Sequence, residues 1–218
     1  MEIDAFNQCL TYLALTNKDP SAFWGGVWTP ALSGVVVGFM ANQLAETFKK
    51  RKDIYNKKKC IREEVLRLQD QAHLAFRSAL PIIDSAMVGE IPTVYVLPRP
   101  LKCYCISEYF ASIAHTYGEK ERDAVFNLIS TIETLNRQIE AYAPGNDIDS
   151  PEHLYGESRN LLFIANHCSM YCDCFINKVS APPKTYFLDL ADRLEVNSEY
   201  LTLRRKQRNE DNAVPKEP

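Results

Sequence analysis

Cysteine and histidine are the residues of this 218-residue chain with the most specific chemistry; it has seven of the first and four of the second. Cys103-Tyr-Cys105 and Cys168-Ser-Met-Tyr-Cys172-Asp-Cys174 are closely spaced, and His167 precedes the second group. Such side chains hold zinc when four of them converge tetrahedrally, commonly from pairs separated by two residues. Neither group has that spacing. On a helix Cys172 and Cys174 point about 200° apart and cannot grip one ion together. Cys168 and Cys172 share a face, but it is an apolar one. The expectation is free thiols packed in a core, with no metal and no cofactor. Cys9 lies apart, before the first apolar run, where it is placed to pair with its copy in a second protomer.

The sequence contains no Walker loop, HExxH, nucleophile elbow or dinucleotide-binding glycine pattern. One short stretch stands out. Arg67-Leu-Gln-Asp-Gln-Ala-His73 resembles the arginine-spacer-histidine motif of HEPN ribonucleases, which are small all-helical enzymes. The likeness covers seven residues and departs from the family at Leu68, where a polar residue usually follows the arginine. Arg159-Asn160 has the polar residue, but its gap to His167 is one residue too long. The resemblance implies a nuclease using Arg67 and His73. By themselves the two residues read as exposed positions on a helix. Glu152 and His153 read as first-turn residues of another helix. The expectation is therefore no catalytic residue and no enzyme.

The elements that would position such groups are legible from charge and periodicity. Residues 20–45 carry no charged side chain, and Gly34-Val-Val-Val-Gly38 lies in their centre. The run is long enough for a bilayer core, which takes about 20 helical residues, although Gly25, Gly26, Thr29, Pro30, Ser33, Asn42 and Gln43 dilute it. Lys49, Lys50, Arg51, Lys52, Lys57, Lys58, Lys59 and Arg62 follow it, with Asp53 the one acid among them. This cluster stands out in a chain whose formal net charge is −3. By the positive-inside rule the basic side faces the cytoplasm and the N-terminus lies outside, with Trp24 and Trp28 at the outer headgroup level. The expectation is a transmembrane helix at 21–45 in the inner (plasma) membrane of a bacterium, preceded by a short external segment at 1–20. A basic juxtamembrane stalk helix at 46–80 then follows. Gly34, Gly38, Ala41 and Ala45 form a seam of small residues on one side of that helix, the kind through which helices approach closely and self-associate.

Beyond the stalk an all-α cytoplasmic bundle of four to five helices is predicted at 105–206. Ile61, Val65, Leu68, Ala72, Ala75 and Ala79 recur at helical steps, and Pro81 is predicted to end that helix. Residues 81–104 hold Pro92, Pro98 and Pro100 and read as an extended connection, with a short helix near 82–88. The next helices are expected at 107–117, at 119–142 with Val125, Ile129, Ile132, Leu135, Ile139 and Tyr142 inward, and at 150–179. Ser150 and Pro151 give the last of these a strong start, and it would bury Leu154, Leu161, Ile164, Cys168, Tyr171, Phe175 and Val179. A final helix is expected at 185–205, burying Phe187, Leu190 and Leu194, and then a flexible tail at 207–218.

The function expected from this layout is interaction: a single-pass membrane protein acting as scaffold, regulator or self-associating effector. Its partners would be the lipid bilayer, a second copy of itself and an unknown cytoplasmic protein, with no nucleic acid. A membrane-perturbing toxin or anti-phage effector, with Asn42 and Gln43 lining a small oligomeric defect, is the first alternative. The membrane-tethered HEPN-like nuclease is the second.

Overall fold

The computed structural model describes residue 11 and residues 28–142, 148–180 and 185–213, with side chains described at 11, 37–142, 148–180 and 185–210. The described residues form helices and no strand. Helix α1 spans Trp28–Met87, α2 Cys105–Ile113, α3 Glu119–Glu140, α4 Pro151–Asn177, α5 Tyr186–Arg193 and α6 Glu199–Ala213. A 3₁₀ turn at Ala114–Thr116 follows α2. The chain divides into two compact units, Met1–Tyr55 and Asn56–Pro218, with the boundary inside α1.

The second unit is a helical bundle, as predicted, with five α-helices after α1 among the described residues, but it also takes in α1 from residue 56 on, where a stalk outside the bundle was expected. Its α1 stripe is the predicted one: Ile61, Val65, Leu68, Ala72, Ala75 and Ala79 are all buried, joined by Phe76, Leu80 and Ile83. Helix α3 lies along α4. It buries Val125, Ile132, Leu135 and Ile139 as expected, with Ala124 and Leu128 in addition, while Ile129 is half-buried. Helix α4 buries Leu154, Leu161, Cys168 and Phe175. Ile164 and Tyr171 are half-buried, and Val179 is exposed beyond the helix end. Phe76, Phe163 and Phe187 join α1, α4 and α5, with ring centres 5.5 Å apart along the series.

Several boundaries differ from the sequence expectation. Helix α1 passes through Pro81 and ends at Met87. Pro81 is exposed, so the hydrogen bond its missing N–H deletes lies on the solvent side. The end is set by Gly89, whose φ of +83° permits the left-handed turn. There Gly89 N–H donates to the Ala86 carbonyl and Glu90 N–H to the Ser85 carbonyl. The predicted short helix at 82–88 is thus the last part of α1, and the irregular connection begins after it. Helix α2 is shorter than expected and closes in the 3₁₀ turn. The single helix expected at 185–205 is two, separated where Glu195 adopts φ +52°. Helix α6 runs on to Ala213, so the predicted tail is largely helical as far as the described residues reach.

The segment expected to span the membrane is helical from Trp28 on, but its apolarity falls short of a crossing. No helix among the described residues is long and apolar enough to cross a membrane. The physical reason is dilution: from Trp28, where α1 begins, to Ala45, the helix includes Thr29, Pro30, Ser33, Gly34, Gly38, Asn42 and Gln43. The expectations for Cys9, Trp24, Gly25 and Gly26, and for the segment 1–20 apart from Thr11, lie outside the described residues.

Candidate functional site

The residues selected for self-association lie on α1 within the first unit. At 3.6 residues per turn, Val37, Met40, Leu44 and Phe48 fall within about 80° of one another, and Gly34, Gly38, Ala41 and Ala45 border them along the helix. The larger side chains are open: Val37 and Phe48 are each 66% exposed, and Met40 and Leu44 each 58%. Around Gly38 an added methyl group would meet nothing. Ala41 and Ala45 are exposed as well. For Gly34 the helical backbone alone is described. The seam and the apolar stripe together make one broad apolar face. Monomeric proteins seldom leave contiguous faces of this kind uncovered.

The eight basic residues do not act as one cluster. Lys49, Lys50, Arg51 and Lys52 are exposed directly after the apolar face. Lys57 and Lys58 instead fold against the bundle. Lys58 Nζ donates to the Thr116 carbonyl at 2.6 Å and stands 4.7 Å from the centre of the Tyr117 ring. Lys57 Nζ stands 5.9 Å from the Tyr109 ring centre. Lys59 pairs with Glu63 across one helical turn at 3.8 Å, in the open, and Arg62 is exposed. A solvated basic stalk was expected through residue 62. Two of its cations hold the end of α2 and the 3₁₀ turn, because α1 is already part of the bundle there.

Arg67 and His73 serve different structures. Arg67 Nη2 donates to the Lys102 carbonyl at 2.6 Å and reaches Glu64 Oε1 at 3.4 Å. His73 Nε2 lies 2.8 Å from Ser169 Oγ. Ser169 Oγ in turn lies 3.0 Å from the Tyr186 hydroxyl, which donates to Asp173 Oδ2 at 2.6 Å. Gln69 Nε2 donates to Asp173 Oδ1 at 2.7 Å, and Arg193 Nη2 to Oδ2 at 3.0 Å. Burial, and then the charge of Arg193, lower the His73 pKa, so the imidazole is neutral at pH 7; Asp173 and Asp70 oppose this in part. Burial alone would raise Asp173, but hydrogen bonds from Tyr186, Gln69 and Arg193 hold its carboxyl below the usual value. A histidine beside a serine is an arrangement used to activate nucleophiles. Here Ser169 is fully buried and also bonded to Tyr186, so its hydroxyl is closed to a substrate. The network joins α1, α4 and α5.

Two acids of α1, unmarked by any local sequence signal, position other helices. Glu64 is 5% exposed, and its carboxylate accepts from the N–H groups of Tyr104 and Ile106 at the start of α2. Asp84 accepts from the Ser198 hydroxyl and from the N–H groups of Glu199 and Tyr200 at the start of α6. A third anchor is Asn136. Its Oδ1 accepts from Leu101 N–H at 2.6 Å, and its Nδ2 donates to the Leu101 carbonyl at 2.8 Å. This ties the proline-containing connection to α3.

The cysteines of the bundle are not all the free thiols expected. Cys60 of α1 and Cys105 of α2 are joined in a disulfide. Cys103, Cys168, Cys172 and Cys174 are free. Burial, followed by the Glu64 charge, pushes the Cys103 thiol up to about 11. Burial, then the neighbouring Cys168, raises Cys172 well above its ordinary value. Protonated thiols are poor ligands and poor nucleophiles. Among the described residues no group of three or more His, Cys, Asp or Glu side chains converges to hold a metal ion.

The chain matches no protein-family model, no curated protein and no solved structure.

Proposed function

We propose that this chain is a membrane-anchored helical interaction protein without catalytic chemistry of its own. The N-terminal part of α1 attaches it to the plasma (inner) membrane of a bacterium. Gly34, Gly38, Ala41 and Ala45 bring two copies together, and the Asn56–Pro218 bundle faces a cytoplasmic protein partner. The supporting observation is the exposed apolar stripe Val37, Met40, Leu44 and Phe48, followed within one turn by Lys49, Lys50, Arg51 and Lys52. Apolar side chains gain by leaving water. Basic residues beside them gain about 1 kcal/mol each near an anionic leaflet. A complete crossing would need residues 21–27 in addition to the described part of α1. Lys and Arg concentrated after the apolar run favour an N-terminus outside and a bundle inside.

The test is fractionation of full-length protein from cells lysed without detergent. Recovery in the membrane fraction, resistant to high salt, is expected. Recovery in the soluble fraction contradicts the reading.

A further inference from the structure

The end of α1 meets α4 and α6 around a cleft of about 310 Å³, lined by Met87, Tyr155, Arg159, Tyr200, Arg204 and Gln207 among others. That volume is at the lower end of small-molecule sites, which run from roughly 300 to 1,000 Å³. Its charge is one-sided. Arg159 and Arg204 are the charged residues of the lining. Neither is ion-paired with a carboxylate among the described residues, whereas nearby Arg193 and Arg205 pair with Asp173 and Asp192. Both guanidinium groups stand over one ring, 5.6 and 6.0 Å from the centre of Phe163. Arg204 Nη1 also donates to Gln207 Oε1 at 3.3 Å. Two like charges thus share one aromatic support, Phe163, beside a cleft whose lining contributes no anion. Guanidinium forks match the oxygens of a phosphate, and two of them match its double charge.

The other wall is aromatic and apolar. The Tyr155 and Tyr200 rings stand edge to face with centres 6.4 Å apart. Tyr200 is buried, so its ring is fixed. Its backbone is held too, since its N–H donates to Asp84. Met87 adds a side chain that adapts to the outline of a ring.

We propose that this cleft binds a phosphate monoester of a flat aromatic ring. Arg159 and Arg204 take the phosphate dianion, and Tyr155 and Met87 pack the ring, with the buried Tyr200 holding Tyr155 edge to face. This site lies in the Asn56–Pro218 unit and does not depend on the membrane reading.

The test is calorimetric titration of the full chain with phenyl phosphate, and in separate arms with inorganic phosphate and with phenol. Phenyl phosphate is expected to bind saturably and at least roughly tenfold more tightly than either fragment, a difference of about 1.4 kcal/mol. The Arg159→Gln/Arg204→Gln variant should lose at least that factor. A Lys206→Gln/Arg208→Gln control, exposed on the same helix, should keep the affinity. The proposal is overturned if phenyl phosphate fails to bind saturably or binds no better than its fragments. It is equally overturned if the arginine variant binds like the native chain, or if the control loses affinity to the same extent.

Discussion

Glu64 Oε1 accepts a hydrogen bond from the Tyr104 backbone N–H at 2.6 Å, and Oε2 accepts from the Ile106 N–H at 2.7 Å. Tyr104 occupies the cap position of α2 and makes no side-chain cap of its own. The cap therefore comes from another helix, as a buried carboxylate beside the positive end of the α2 dipole. Replacing Glu64 with Ala leaves two N–H groups without acceptors in a closed site. The expected loss is about 2 kcal/mol, within the ~1–3 kcal/mol typical of an unsatisfied buried group. Glu64→Gln keeps an acceptor for one N–H and should fall between. Urea denaturation of the three proteins checks the order.

Asp84 does the same for α6, with less burial. It holds the Ser198 hydroxyl at 3.0 Å and the Tyr200 N–H at 3.1 Å. Asp84→Ala is expected to cost about 1 kcal/mol, as lost caps do. Hydrogen exchange should accelerate selectively at the first-turn amides of α6. Uniform acceleration across the bundle would contradict a local capping role.

The network around His73 makes stability depend on pH. The folded His73 pKa is depressed below its ordinary value of 6.5. Below pH 6.5 the unfolded chain therefore binds more protons at this residue than the folded one. Its contribution is complete above pH 6.5 and is lost as pH falls through the folded pKa. Asp173 is also depressed, so its contribution is lost at more acid pH, below the ordinary 3.8. Melting temperature should fall as pH goes from 7 to 5. His73→Gln, which keeps a polar partner for Ser169, should flatten that slope and leave the acid-limb loss in place.

Cys60 and Cys105 bear on the orientation proposed. Cytoplasmic proteins keep their thiols reduced, whereas disulfides persist in oxidising compartments. With the bundle inside, protein alkylated in intact cells should carry label on both cysteines, and the bond should form on mild oxidation after lysis. The oxidised form should be more stable, by the ~2–4 kcal/mol usual for such cross-links. Protection of Cys60 and Cys105 from alkylation in cells would reverse the orientation.

The parts of the fold that repeat at helical steps were legible in the sequence. The α1 stripe from Ile61 to Ala79 and the Ser150-Pro151 start of α4 are local patterns, and they are found as predicted. The parts missed depend on neighbours distant in sequence or on unmarked backbone. Glu64 and Asp84 look like surface acids until α2 and α6 arrive. The break between α5 and α6 has neither glycine nor proline, and Glu195 adopts the left-handed turn instead. Pro81 signalled an end that Gly89 supplies. Of the candidate site, the helix that puts Gly34, Gly38, Ala41 and Ala45 on one side was legible from spacing. The division of the basic cluster was not, because the contacts of Lys57 and Lys58 are made across more than fifty residues. Arg159 and Arg204 likewise meet across two helices with no local signal.

The central claim is that the apolar face of α1 and the basic residues after it hold the chain on a bilayer. Flotation of the full-length protein with vesicles containing anionic lipid tests it most directly. The native chain should float with the vesicles in high salt. At low salt the Lys49→Gln/Lys50→Gln/Arg51→Gln/Lys52→Gln variant should bind them roughly a hundredfold to a thousandfold more weakly, given about 1 kcal/mol for each of the four basic residues. A Val37→Ser/Met40→Ser/Leu44→Ser/Phe48→Ser variant should remain at the bottom of the gradient. Native protein that stays at the bottom with anionic vesicles present would contradict the account.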